Sequence, residues 1–130
     1  MSGIRRLGDG YEPHVDELAD KLTYSLPVDS GFFSTSFSFD IARADLNVLL
    51  SDPYRRAALE IIAHTVLQRS LLPGAERVTQ PAFDALVSQV LHSTPTLLEN
   101  YIAEISQDYH IAIRVFIERA MARRSENRTL

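Results

Sequence analysis

Four histidines (14, 64, 92 and 110) and seventeen carboxylates carry the acid–base and metal-ligating chemistry open to this 130-residue chain, which contains no cysteine. The best ligand pair is Glu60 with His64, four residues apart on one face of a helix, and Glu104 with Asp108 repeats that spacing. A carboxylate-bridged dimetal bundle needs Glu-x-x-His repeats from two helices, and the sequence has none. Glu60 and His64 therefore read as a solvated helical pair worth a few tenths of a kcal/mol, and no metal or cofactor is expected.

Nucleophilic catalysis needs a Ser, a His and a carboxylate gathered in space, and no Gly-x-Ser-x-Gly elbow marks any serine. The lack of Cys removes thiolate zinc sites, iron–sulfur clusters, disulfides and cysteine nucleophiles together. Glycines occur only at 3, 8, 10, 31 and 74, so neither a P-loop nor a dinucleotide fingerprint can be written. His92, just before Ser93-Thr94-Pro95, meets the negative end of the preceding helix dipole, which is a structural role. His14 reads as exposed, and His110, next to Tyr109, as a core or contact histidine. The expectation is a protein that is not an enzyme.

Arginine supplies 12 of the 13 basic residues, and its planar fork suits carboxylate and phosphate partners. The net charge of -4 is unevenly placed: -4 in residues 1–60, -3 in residues 61–110 and +3 in residues 111–130. Arg119, Arg123, Arg124 and Arg128 thus form a candidate phosphate or nucleic-acid contact, together with the Arg5-Arg6 arm. The plainer reading is that they complement the negative end of the last helix. An acidic total argues against a protein that coats nucleic acid.

The elements that must position these groups follow from apolar spacing. Residues 1–10, with three Gly and no apolar core of seven or more, read as a flexible arm rather than a signal segment. Pro13 at a first helical position, Asp16 and Glu17 in the first turn, and Val15, Leu18, Leu22 and Leu26 at helical steps predict a helix from about 13 to 25, stopped by Pro27. Phe33, Thr35, Phe37 and Phe39 then alternate with serines, a strand-like pattern within residues 31–39. A lone strand needs a partner edge, so this segment either pairs with a second copy or is an extended loop whose Phe side chains plug a helical core; the loop is the favoured expectation.

Asp40 is placed as the cap of a short helix through Ile41 and Leu50, and Asp52-Pro53 opens the next, running to about Leu71. Thr79-Gln80-Pro81 and Thr94-Pro95 open two more, and the last, from about 95 to 124, is long for a domain of this size. Within it, Tyr109 to Ile117 also alternates like a strand, but its helix-forming flanks favour helix. That stretch is apolar on nearly every face, so it demands burial in the core or against another subunit.

A helix with Leu59, Ile62, Ala63 and Val66, a loop with Gly74, then Val78 to Leu86 and Leu98 to Ile105 somewhat resemble the first helix, loop and middle helix of histone-fold subunits of transcription complexes. The resemblance implies pairing as a dimer. It spans residues 57–105, under half the chain, and Thr94-Pro95 starts a new helix where the histone fold keeps one unbroken middle helix.

The sequence therefore predicts an all-α single domain of about five helices over residues 11–124, with a Phe/Ser-rich segment and a C-terminal tail at 125–130. No stretch approaches the 18 or so apolar residues of a membrane span, and the expected compartment is the cytoplasm. The expected function is a helical subunit or adaptor acting through protein–protein contact or self-association. Its candidate interface residues are Phe32, Phe33, Phe37, Phe39, Phe116 and Ile117, with nucleic-acid regulation through the C-terminal arginines as the alternative.

Overall fold

The computed structural model describes residues 3–9, 12–29 and 34–128, with side chains up to residue 125. The chain is α+β, not all-α. Its first third forms a four-stranded antiparallel sheet, β1 (Ile4–Leu7), β2 (His14–Leu18), β3 (Lys21–Asp29) and β4 (Ser34–Ile41), in the order β1-β2-β3-β4. Five helices follow: α1 (Arg43–Ser51), α2 (Pro53–Ser70), α3 (Gln80–Leu91), α4 (Pro95–Tyr109) and α5 (Ile113–Arg128).

The helix expected over residues 13–25 is instead the β2–β3 hairpin. Leu22 and Leu26 lie four apart, a step that places two residues on one face of a helix and equally on one face of a strand. Tyr24 and Val28 decide between them: Leu22, Tyr24, Leu26 and Val28 are all buried and alternate with Thr23, Ser25 and Pro27. The hairpin turns through Ala19 and Asp20, both at positive φ (49° and 67°), between the paired residues Leu18 and Lys21. Two positive-φ residues make a type I′ turn, whose twist matches that of the strands it joins. Pro27 does not stop an element. β2 pairs with β3 only as far as Ser25, so from Leu26 onward β3 has β4 as its only neighbour and tolerates a residue without an N–H.

The segment favoured as a plugging loop is strand β4, and its partner is β3 of the same chain, from Leu22↔Ile41 to Asp29↔Ser34. It still supplies the core, since Phe39 is buried and stacks on Phe83 of α3 at 4.2 Å between ring centres. Residues 4–7, expected in a flexible arm, pair with β2 as β1. Glu17 ties these strands to the helices, taking Arg6 of β1 at 2.7 Å and Arg43 of α1 at 2.6 Å. Arg43, and then Arg6, hold its carboxyl below the usual carboxylate range.

Ile41 ends β4, so Asp40 caps no helix; the capping position before α1 is Ala42, whose N–H donates to Asp45 Oδ2 at 2.8 Å. The other three starts lie where capping residue and proline place them: Asp52, Thr79 and Thr94 each accept a backbone N–H from the first turn. α2 is the central helix, packed against β3 and the other four helices. Ala57, Ala58 and Ala63 are buried with Leu59, Ile62 and Leu67, and such small residues let neighbouring backbones approach closely.

The long helix expected over 95–124 is two helices. His110 adopts the left-handed conformation (φ 54°, ψ 44°), and Ile111 N–H returns to Ser106 O, closing α4. The break removes only Tyr109 from the apolar stretch 109–117: in α5, Ile113 and Ile117 are buried as that stretch demands, whereas Val115 and Phe116 stay 42% and 37% exposed. Residues 125–128, expected in a tail, extend α5. α3 and α4 are likewise separate, so no single middle helix of the histone kind exists.

Candidate functional site

Two features stand out, an open strand edge and a cleft. At the edge, Asp40 N–H donates to Gln80 Oε1 at 2.9 Å, and Gln80 Nε2 donates to Asp40 O at 2.8 Å. One side-chain amide thus occupies both backbone groups of Asp40, as a neighbouring strand would. In an antiparallel ladder each residue directs both its N–H and its C=O to the same side, and the side alternates along the strand. Because Asp40 faces away from β3, Ser38, Ser36 and Ser34 face away as well. Among the described residues nothing covers that edge from Ser34 to Ser38. The opposite edge is guarded: β1 is four residues long, has a register shift between Arg5 and Leu7, and carries ion pairs Arg5–Asp16 and Arg6–Glu17.

The cleft lies between β3, α2 and α5. It encloses about 460 Å³ and is walled by Leu26, Pro27, Ile61 and Phe116, with Glu60, His64 and Arg123 among its polar groups. A hollow of about 140 Å³ adjoins it, sharing Glu60 and Arg123 and adding Glu12 and Arg124. Arg124 Nη2 reaches Glu60 at 2.9 Å and Glu12 at 3.5 Å, and Arg56 reaches Glu12 at 3.8 Å. These four charges balance, and their side chains are mostly removed from solvent. Glu60 is therefore not the solvated partner of His64 that spacing suggests. Burial lowers the His64 pKa, with Glu60 and Asp29 opposing that shift. Tyr24, fully buried nearby, has its hydroxyl pKa raised by the same loss of solvent.

A third cleft, beside α1 and α3, holds His92, whose Nε2 lies 2.6 Å from Asp45 Oδ1. Since Asp45 also caps α1 and His92 caps α3, the pair joins two helix ends. Among the described residues no three His or carboxylate side chains converge as a metal site. No helix there is long and apolar enough to cross a membrane.

The six apolar candidates separate. Phe39 and Ile117 are core residues, at 8% and 0% exposure, and so are not available as contacts. Phe37 is half-buried on the inner face of β4, and Phe116 is 37% exposed at the cleft rim. Phe32 and Phe33 lie outside the described residues. Of the arginines, Arg124 is committed to Glu60 and Glu12, Arg119 sits over the Phe116 ring at 5.5 Å, and Arg123 lines the cleft. The Arg128 side chain lies outside the described residues. Gln80 was visible only as part of a helix-start signal, and nothing in the sequence pairs it with Asp40 or brings Glu12 to Arg124.

No protein-family model, curated protein or solved structure matches this chain. The fold class, a four-stranded meander followed by five helices, is what the structure itself defines.

Proposed function

We propose that this chain is a non-enzymatic, cytoplasmic subunit that works through protein–protein contact, and that its contact is strand pairing between the β4 edges of two copies. The observation that carries the reading is the open, uncharged edge Ser34–Ser38 beside an Asp40 already closed by Gln80. Strand edges left without charge, proline or bulge are templates for pairing. Two copies in antiparallel register set Ser36 against Ser36 and Ser34 against Ser38 of the other copy. Those three residue pairs each exchange two backbone bonds, about six in all, with no like charges opposed. On the inner face the same register brings Phe37 against Thr35, extending the apolar layer between the copies.

The alternative, nucleic-acid regulation, draws less support. Arg5, Arg6 and Arg124 are engaged with Asp16, Glu17 and Glu60, which leaves no continuous basic face among the described residues.

The test is the solution mass across a concentration series. The wild type is expected to reach the dimer mass, whereas Ser36→Pro, which removes an outward N–H and leaves the β3 ladder intact, stays monomeric with an unchanged circular dichroism spectrum. A wild type that is monomeric at high concentration, or a Ser36→Pro variant that dimerises equally well, overturns the reading.

A further inference from the structure

We propose that the cleft between β3, α2 and α5 binds an amphipathic organic carboxylate, with its head on Arg123 and its aliphatic or aromatic body along Leu26, Pro27, Ile61 and Phe116. The volume of about 460 Å³ is within the range of small-molecule pockets. Its middle is less polar than its residue types suggest. Thr65 Oγ1 donates to Ile61 O at 2.8 Å, and Gln68 Nε2 donates to Asp29 O at 2.9 Å, so both spend hydrogen-bonding capacity on backbone.

The charge at one end favours an anion. Glu12 and Glu60 of the adjoining hollow are matched by its Arg124 and by Arg56, so among the described residues Arg123 is an additional positive charge at that mouth. Phe116, Arg119 and Arg123 fall at helical steps along one side of α5, and all three are exposed. The Arg119 guanidinium over the Phe116 ring brings a second cation beside the apolar wall. Away from Arg123, Gln68 Nε2 holds the backbone carbonyl of Asp29, whose negative charge is felt at His64 of the cleft, so a bound carboxylate is oriented with its head toward Arg123. An arginine fork suits a carboxylate head through two parallel bonds.

Decanoate and decyltrimethylammonium, each below its micelle concentration, are the probes, titrated into the full chain by calorimetry and followed by amide NMR. Decanoate is expected to bind one to one, shifting the amides of Ile61, Thr65, Phe116 and Arg123, while the cation binds at least ten-fold more weakly. Arg123→Gln is expected to weaken decanoate at least ten-fold and Phe116→Ala several-fold, with both variants keeping the wild-type melting temperature within a few degrees. Ser36→Pro is expected to bind decanoate like the wild type, which separates this site from the strand edge. Equal binding of the cation, unchanged affinity in Arg123→Gln, or shifts mapping away from the cleft overturns the proposal.

Discussion

Gln80 and Asp40 form a closed amide ring: Asp40 N–H to Gln80 Oε1 at 2.9 Å, and Gln80 Nε2 to Asp40 O at 2.8 Å. A residue forty positions away thus acts as one rung of a missing strand and anchors α3 to β4. The same Nε2 also reaches Asp84 Oδ1 at 2.8 Å, which holds the amide in its orientation. Gln80→Ala is expected to lower stability by about 1 kcal/mol, since the groups it frees are exposed to water. Hydrogen exchange supplies the specific readout: the Asp40 amide loses its protection in the variant while those of Tyr24 and Phe39 in the ladder keep theirs.

The β2–β3 turn holds a non-glycine residue in the left-handed region at Ala19 (φ 49°). Such a conformation costs an alanine about 1 kcal/mol or more, and glycine adopts it without that cost. Ala19→Gly is expected to raise stability by about 1 kcal/mol, reduced somewhat by the greater freedom of the unfolded chain. Denaturant unfolding measures it, and the midpoint should rise with an unchanged slope. Gly8 is the converse case: its φ is 84°, and a Cβ there would press on the Pro13 carbonyl, so Gly8→Ala is expected to lower the midpoint.

Phe39 and Phe116 are alike in the sequence and differ in the fold. Phe39 is 8% exposed and stacks on Phe83, while Phe116 is 37% exposed on α5. Phe39→Ala is expected to cost about 3–5 kcal/mol, the range for a truncated core aromatic. Phe116→Ala is expected to cost under about 1 kcal/mol. Parallel urea denaturations of the two variants check the ordering, and a comparable loss in both would contradict the packing of α5.

These contrasts show where the sequence was legible. Asp52-Pro53, Thr79-Gln80-Pro81 and Thr94-Pro95 carry their helix starts locally, because a capping side chain and a proline act within one turn. Leu22 and Leu26 do not, since four residues is a repeat of both the helix and the strand. The hairpin also lacks the Asn-Gly or Asp-Gly pair that announces a type I′ turn, having Ala19-Asp20 in its place. Once β2 and β3 are read as helix, β4 has no visible partner, and a sheet of four strands is lost with it. The break at His110 left no glycine or proline to mark it. The ion pair of Arg124 with Glu60 spans 64 residues, a distance that no local pattern encodes.

His64 gives the stability of the fold a pH dependence whose sign can be worked out. Burial lowers its pKa below the ordinary 6.5, and the opposing charges of Glu60 on α2 and Asp29 on β3 do not restore it. In the unfolded chain the ring takes up a proton near pH 6.5, whereas burial in the folded cleft resists it. Over that interval the unfolded state binds more protons, so stability rises with pH. The contribution is complete above pH about 6.5 and is lost as pH falls from there through the lower folded value. Urea unfolding at several pH values between 8 and 5 should show a steeper loss for the wild type than for His64→Gln, whose side chain carries no titrating group. Equal slopes would place His64 in water rather than half-buried in the cleft.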